Sequence, residues 1–415
     1  MTILFWFSLV GILYTYVGYP MAIWALARLR PRPWNVGQIT PSVSIVLAVH
    51  NGVALLPRKI EHLLNLNYPN VKEIIIVSDG STDGTEELLA CLQHQRVKAI
   101  ALKEHCGKAV AVNAGMAAAT ADVILFVDIR PEIAPGAIQQ LVSNFADRRV
   151  GCVAGNLTLR QEGHDAAAAA VCGLYWRYEQ WIRECEAVCD SPVGAYGGFY
   201  AVRRELASQQ PAGIILDDMF QPLSVIRQGY RSVLDSNAYV HDMWPRQVGS
   251  EFHRKVRTLA GNFQLIQLAP WTLTLQNRVL FQLVSHKLMR LVAPYLLVVM
   301  LASALTLSRV SPFYAVLAAF QVCGLVLAVA ALRFRIPVLH RIASSISALL
   351  VLNAAAVVGL HKFLFTPGPL WKIWNAENTV VNSSSSLRDA ISPESVPVIE
   401  MSKNLYTEAP QRKDA

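Results

Sequence analysis

Apolar residues in this chain form two kinds of run. Between Pro41 and about Asn237 the runs are short and alternate with amphipathic stretches; toward both ends they lengthen to membrane size. Ser44–Ala48, Glu73–Ser78, Val97–Leu102 and Val123–Val127 are each rich in β-branched residues and stop at polar ones. Such runs read as strands buried on both faces. Leu55–Leu66, Thr85–His94 and Lys108–Ala119 lie between them with helical spacing. Strand, helix, strand at this interval predicts parallel βαβ units, an α/β fold with a Rossmann-like, mostly parallel sheet. Beyond Gly151 the pattern predicts a strand over 150–159, a long helix over 166–188 and a Gly-rich loop plus strand over 191–204. A helix over 217–227, stopped by Gly229, follows.

Thr2–Ala27 is almost wholly apolar and long enough to cross a bilayer. No basic residue precedes it, as a secretory signal requires, and Arg28, Arg30 and Arg32 follow it. It reads as a retained transmembrane helix whose C-terminal end is cytoplasmic. Leu291–Leu307, Pro312–Leu332 and Ile342–Leu364 are further spans, with Arg333, Arg335 and Arg341 marking a cytoplasmic loop. Strict alternation then places the tail after Phe365 outside, whereas a re-entrant last span would bring it back inside; Trp371 and Trp374 suit an interfacial belt on either side. Phe252, Val256, Leu259, Phe263 and Ile266 share one helix face, with Arg254, Lys255 and Arg257 elsewhere. That is the pattern of a basic helix lying in a membrane interface. Phe281, Val284, Leu288 and Leu291 suggest a second one. The expected organisation is therefore a transmembrane helix (1–27), a linker (28–40), a catalytic α/β domain (41–250), interfacial helices (251–290), three transmembrane helices (291–365) and a disordered polar tail (366–415).

Composition strengthens the membrane reading. Hydrophobic residues make up 53% and charged residues only 16%, against about 25% charged in soluble domains. The net charge of +8 gathers beside the apolar spans, which favours membrane lipid over nucleic acid as its partner. Seven cysteines without a CxxC pair read as reduced thiols, in keeping with a cytoplasmic catalytic domain.

Candidate chemistry gathers where strands end. His50-Asn51 follows the first strand, Asp79-Gly-Ser-Thr-Asp-Gly84 the second, and Asp128 the strand at Val123–Val127. Gly107-Lys108 opens a helix, with Asn113 further along it. Ligands of open α/β sheets bind outside the carboxyl ends of strands. Aspartates there accept hydrogen bonds from a base or ribose, glycines admit close backbone approach, and a lysine at a helix N-terminus meets phosphate. The set fits a nucleotide diphosphate. Neither GxGxxG nor GxxxxGK[ST] occurs, so a dinucleotide fold and a P-loop are disfavoured.

Ser44-Ile-Val-Leu-Ala-Val-His-Asn51, Val77-Ser-Asp-Gly-Ser-Thr-Asp-Gly-Thr85 and Gly107-Lys-Ala-Val-Ala-Val-Asn-Ala-Gly115 together resemble the nucleotide-binding half of family 2 glycosyltransferases. These are inverting enzymes of the GT-A fold, some of them membrane-bound, and the likeness covers about residues 41–290. It implies that Asp79 contacts the uracil or ribose of a UDP-sugar, that His50 and Asn51 line that pocket, and that Lys108 lies near the nucleotide. Asp128 matches the first aspartate of the family's DxD motif, which implies a divalent metal, Mg²⁺ or Mn²⁺. Gly197-Gly198 and Arg203-Arg204 resemble the acceptor-side strand. Asp217-Asp218 resembles the family's catalytic helix, with Asp218 as general base.

Two departures from the family are visible. Arg130 stands where DxD has its second aspartate, so His241 is a candidate replacement metal ligand, or Arg130 itself serves the phosphates. The QxxRW signature of processive members is reduced to Arg257, without its glutamine and tryptophan, which counts against a long polymer. The expected activity is inverting transfer from a UDP-sugar to a glycan or lipid-linked acceptor. It would occur at the cytoplasmic face of a bacterial-type inner membrane, in polysaccharide or glycolipid assembly, with export proteins as possible partners. A polyprenyl-phosphate sugar transferase and a catalytically silent export subunit are the alternatives.

Overall fold

The structure is a computed structural model and describes residues 1–160, 166–243, 248–333, 337–366 and 370. Its eight strands are β1 (Val43–Val49), β2 (Val71–Asp79), β3 (Val97–Leu102), β4 (Val123–Val127), β5 (Glu132–Ile133), β6 (Val150–Arg160), β7 (Phe199–Arg203) and β8 (Arg231–Met243). They form one sheet in the order β3-β2-β1-β4-β7-β6-β8-β5. β3, β2, β1 and β4 are parallel, as the pattern predicts. β7 then runs antiparallel to both β4 and β6, and β6 pairs in parallel with β8.

The helices of the domain are α3 (Leu56–Leu64), α4 (Thr85–Cys91), α5 (Lys108–Ala118), α6 (Ala137–Ser143), α7 (Ala166–Cys189) and α8 (Asp217–Arg227). They follow α1 (Thr2–Leu13) and α2 (Tyr19–Leu29), and precede α9 (Val248–Leu268), α10 (Leu280–Gln282), α11 (Met289–Leu307), α12 (Pro312–Arg333) and α13 (Pro337–Phe365). Side chains alternate across a strand, so β1 feeds two cores. Ile45, Leu47 and Val49 pack with Leu56, Ile60 and Leu63 of α3 on one face. Val46, Ile75, Val77, Ile124 and Phe126 pack with Ala111 and Val112 of α5 on the other. A Cβ on Gly115 would come within 2.5 Å of Val46, so α5 lies closer to the sheet than any larger residue permits.

Among the described residues, four helices are long and apolar enough to cross a membrane: Thr2–Leu29, Leu280–Leu307, Pro312–Ala331 and Ile346–Phe365. Two details correct the sequence expectation. The stretch around Phe281–Leu291 is not a separate interfacial helix but runs unbroken into α11, through a π-helical turn at Leu283–Leu288. The apolar face of α9 is covered by protein, since Val256 and Ala260 pack on Ala355 of α13. A Cβ on Gly359 would stand 3.1 Å from Ala260 N, so these two helices meet backbone to backbone. The expected disordered tail, with Trp371 and Trp374, lies outside the described residues.

A buried ionic cluster fastens the domain to the apolar helices. Glu179 of α7 meets Arg290 at 2.6 Å, Lys287 at 2.7 Å and His286 at 3.1 Å. His286 also lies 2.8 Å from Glu186, which accepts a hydrogen bond from Tyr19 Oη at 2.5 Å. Burial alone would raise the Glu179 pKa, but the cations around it hold it well below the usual carboxylate range.

Candidate active site

Because β1, β2 and β4 are parallel, their C-terminal ends converge on one sheet edge. β7 is antiparallel to β4, so Phe199, at its start, meets that edge opposite Val127. This strand direction places Gly197 and Gly198 in the site.

Loop geometry sets the first part. Asn51 has φ +51°, the only positive φ at a non-glycine among the described residues, a conformation asparagine tolerates better than most. It accepts from Thr82 N at 2.8 Å, and its own N–H donates to Ser81 Oγ at 3.1 Å, tying the β1 and β2 loops together. Asp79 is 2% exposed. Its carboxylate accepts from Cys106 N at 2.8 Å and Gly107 N at 2.9 Å, and His105 Nδ1 is 2.9 Å away. The carboxylate expected to meet a base or ribose is thus turned inward, where it braces the loop that launches α5. The His105 ring stacks on His50 with centroids 3.7 Å apart, and His50 Nδ1 lies 2.8 Å from Asp79 O. His105 and Cys106 carry no sequence signal for this role; only the chain path brings them there.

Lys108 is the first residue of α5, and its Nζ reaches two acids, Asp128 after β4 at 3.1 Å and Asp217 at the start of α8 at 3.3 Å. Burial would lower its pKa, but the two carboxylates outweigh this and raise it above the ordinary lysine value. Asp217 is buried, while Asp218 is half-buried and faces Gly197. A Cβ on Gly197 would lie 3.1 Å from Asp218 Oδ2, so glycine there leaves the carboxylate open to the cleft. Ala195 N donates to Asp218 O at 2.8 Å, clasping the glycine loop to α8. Burial, then the charge of Asp217, push the Asp218 carboxyl up to about 6 against the opposing pull of Lys108 and Arg183. Burial lowers the Arg257 pKa while the charges of Asp128, Asp217 and Asp218 pull it up, so Arg257 of α9 faces the same acids.

Three expected residues fall elsewhere. The antiparallel run of β7 carries Arg203 to the opposite sheet edge, paired with Val123. Its guanidinium donates to Phe145 O at 2.7 Å and Val150 O at 2.8 Å. Arg204 donates to Ala121 O at 2.7 Å. Neither arginine belongs to the acceptor side. His241 points away from the cleft toward Thr158 Oγ1, 3.1 Å off. Strand alternation presents Asp242 instead, whose carboxylate is 3.6 Å from Arg130.

Among the described residues no three His, Cys, Asp or Glu side chains converge on a metal-sized site. Mg²⁺ in phosphate sites commonly takes one or two carboxylates, with substrate phosphates and water completing the shell. Asp128, 42% exposed at the cleft mouth, fits that partial role. His241 does not.

The family described as Glycosyl transferase family 2 matches residues 44–209. The poly-beta-1,6-N-acetyl-D-glucosamine synthase of Staphylococcus aureus (strain COL) is 24% identical over 243 residues, 56% of this chain and 57% of that protein. The chain therefore aligns with little more than half the length of that relative. An uncharacterized glycosyltransferase of Nostoc sp. is 34% identical over 106 residues, 25% of this chain and 32% of that protein. A mannosyltransferase from Pyrobaculum calidifontis, solved with GDP-Man and Mn²⁺, superposes with TM-score 0.62 at 18% identity. The superposition covers 87% of this chain and 99% of that one, and it identifies the fold as GT-A.

Proposed function

We propose that this chain, a family 2 glycosyltransferase, transfers a sugar with inversion from a UDP-sugar to a hydroxyl of a glycan or lipid-linked acceptor. The reaction belongs to polysaccharide or glycolipid assembly at the cytoplasmic face of the membrane. The observation that carries this reading is Asp218. It is a cleft-facing carboxylate flanked by glycine, with a pKa of about 6, one residue from an acid paired with Lys108.

A base with that pKa is largely ionised at neutral pH yet strong enough to take a hydroxyl proton in the transition state. Asp218 removes the proton as the acceptor oxygen attacks the anomeric carbon from behind. The bond to the diphosphate oxygen breaks, and its electron pair leaves with the nucleotide. Lys108, Arg257 and Arg130 are the cations placed to meet that charge. A divalent ion brought with the donor would be held by Asp128 and would neutralise part of the same charge. The N-terminal helix ending in Arg28, Arg30 and Arg32 supports the cytoplasmic side, and the synthase relative supports glycan assembly.

The test is a screen of nucleotide sugars for nucleoside diphosphate release by full-length protein in detergent, supplied with membrane lipid extract. UDP release with one sugar is expected. Release of GDP alone would overturn the donor class, and no release from any donor would favour the silent subunit.

A further inference from the structure

The sheet edge opposite the site holds a cavity of about 630 Å³ lined by Arg32, Pro33, Asn35, Arg149, Gly229 and Arg231. Three elements distant in sequence meet there: the linker after α2, the turn before β6 and the start of β8. Arg231 forms the floor and is 6% exposed. Its guanidinium donates to Arg32 O at 2.7 Å, Ala187 O at 2.7 Å and Asp190 O at 2.9 Å. Arg278 closes one side through Gly229 O and Tyr230 O.

Two carboxylates serve these four arginines. Asp190 meets Arg32 at 3.0 Å and Arg278 at 3.2 Å, and Asp147 meets Arg149 at 2.7 Å. The acids lie behind, with side chains 12% and 5% exposed, while Arg32 and Arg149 are 67% and 63% exposed. The cavity mouth is therefore lined by the outer faces of guanidiniums, with two positive charges in excess of the carboxylates. Among the described residues, the Arg32 guanidinium bonds only through Nη1, and Arg149 Nη1 makes no hydrogen bond. Planar guanidiniums with unspent N–H groups over a buried, carbonyl-locked arginine form a receptor for a tetrahedral oxyanion.

We propose that this cavity binds a phosphate-bearing anion. The position relates it to two sources. Arg32 is three residues beyond the end of α2 at Leu29, a reach of about 10 Å for extended chain, so an anionic lipid headgroup beside that helix can enter. A soluble diphosphate can enter from the open side. Gly229, in the wall, follows α8, whose other end carries Asp218. At 1.5 Å per residue that helix sets the cavity roughly 16 Å from the base, so the anion does not compete with the sugar donor.

The test uses full-length protein in neutral detergent at constant ionic strength. Thermal unfolding is followed against sodium pyrophosphate, and separately against phosphatidylglycerol with phosphatidylcholine as control. A ligand that binds only the folded state raises the midpoint by an amount that grows with the logarithm of 1 + [ligand]/Kd. A rise of this logarithmic form is expected with at least one anion and not with phosphatidylcholine. The Kd fitted to this rise should increase tenfold or more in Arg149→Gln and in Arg32→Gln, both at exposed positions, while the rise persists in Lys108→Gln, which weakens only the donor site. A response to phosphatidylglycerol alone assigns the headgroup, and one to pyrophosphate alone assigns a soluble phosphate. A response lost in Lys108→Gln but kept in both arginine variants would place the anion in the donor site and overturn the proposal. So would the absence of any response in the parent protein.

Discussion

The two edges of one sheet use charged residues to opposite ends. At the edge formed by β1, β2 and β4, Asp128, Asp217 and Asp218 crowd around one lysine, and among the described residues the carboxylate facing Gly197 makes no ion pair of its own. At the other edge, Arg203, Arg204 and Arg231 spend their guanidiniums on backbone carbonyls. Charge held short of full pairing raises a pKa and costs stability, a mark of a functional site. Charge saturated by carbonyls fixes strand ends and chain crossings. The difference teaches that an arginine pair in a sequence has no role until the direction of its strand is known.

The largest effect should come from Asp218→Asn. Loss of general base catalysis lowers kcat by about 10²–10⁴-fold, with donor affinity, read by nucleotide-sugar binding, within a few-fold of the parent. Turnover at the parent rate would remove Asp218 from the chemistry and break the comparison at its reactive edge.

Arg203→Met tests the other edge. It strips the donor from the carbonyls of Phe145 and Val150, each such loss costing about 1–3 kcal/mol. The unfolding midpoint should fall markedly while the folded fraction keeps its kcat. A variant as stable as the parent that loses transfer would return Arg203 to the acceptor side.

Acid titration sharpens the contrast. The base works only when ionised, so kcat/KM should rise with pH through an apparent pKa near the 6 of the coupled pair and then level off. The arginine edge contributes no limb in this range. A flat profile from pH 5 to 8 would exclude Asp218 as the titrating base.

The smallest effect is expected from His105→Ala. It removes a ring stacked on His50 and a partner of Asp79. One hydrogen bond nets about 0.5–1.5 kcal/mol, so donor KM should increase by roughly two- to tenfold with kcat little changed.

Much of this was legible in the chain. Uninterrupted β-branched runs at Ile45, Ile75 and Ile124 announce strands buried on both faces, and the polar residue ending each run marks the reactive edge. Hydrophobic pattern reports burial but not partner or direction, so the antiparallel insertion of β7 between β4 and β6 had no signal. That one reversal keeps Gly197 and Gly198 in the site and removes Arg203 and Arg204. The same limit applies to α9, whose apolar stripe fits a lipid surface or a neighbouring helix equally well. Gly359, the residue that admits α9, lies about 100 positions away. His241 and Asp242 are adjacent in sequence, and only strand alternation decides that the acid faces Arg130.

Lys108 has one ammonium for two carboxylates and also stands where a diphosphate would arrive. When phosphate oxygens draw that ammonium away or neutralise it, Asp218 loses the strongest influence holding its pKa down. The carboxylate then becomes more basic at the moment the donor is in place, and remains weaker before. In the proposed reaction the lysine sets an order of events, donor first and deprotonation second. Its signature is kinetic: the pH limb of kcat should lie above that of kcat/KM, and Lys108→Gln should bring the two together.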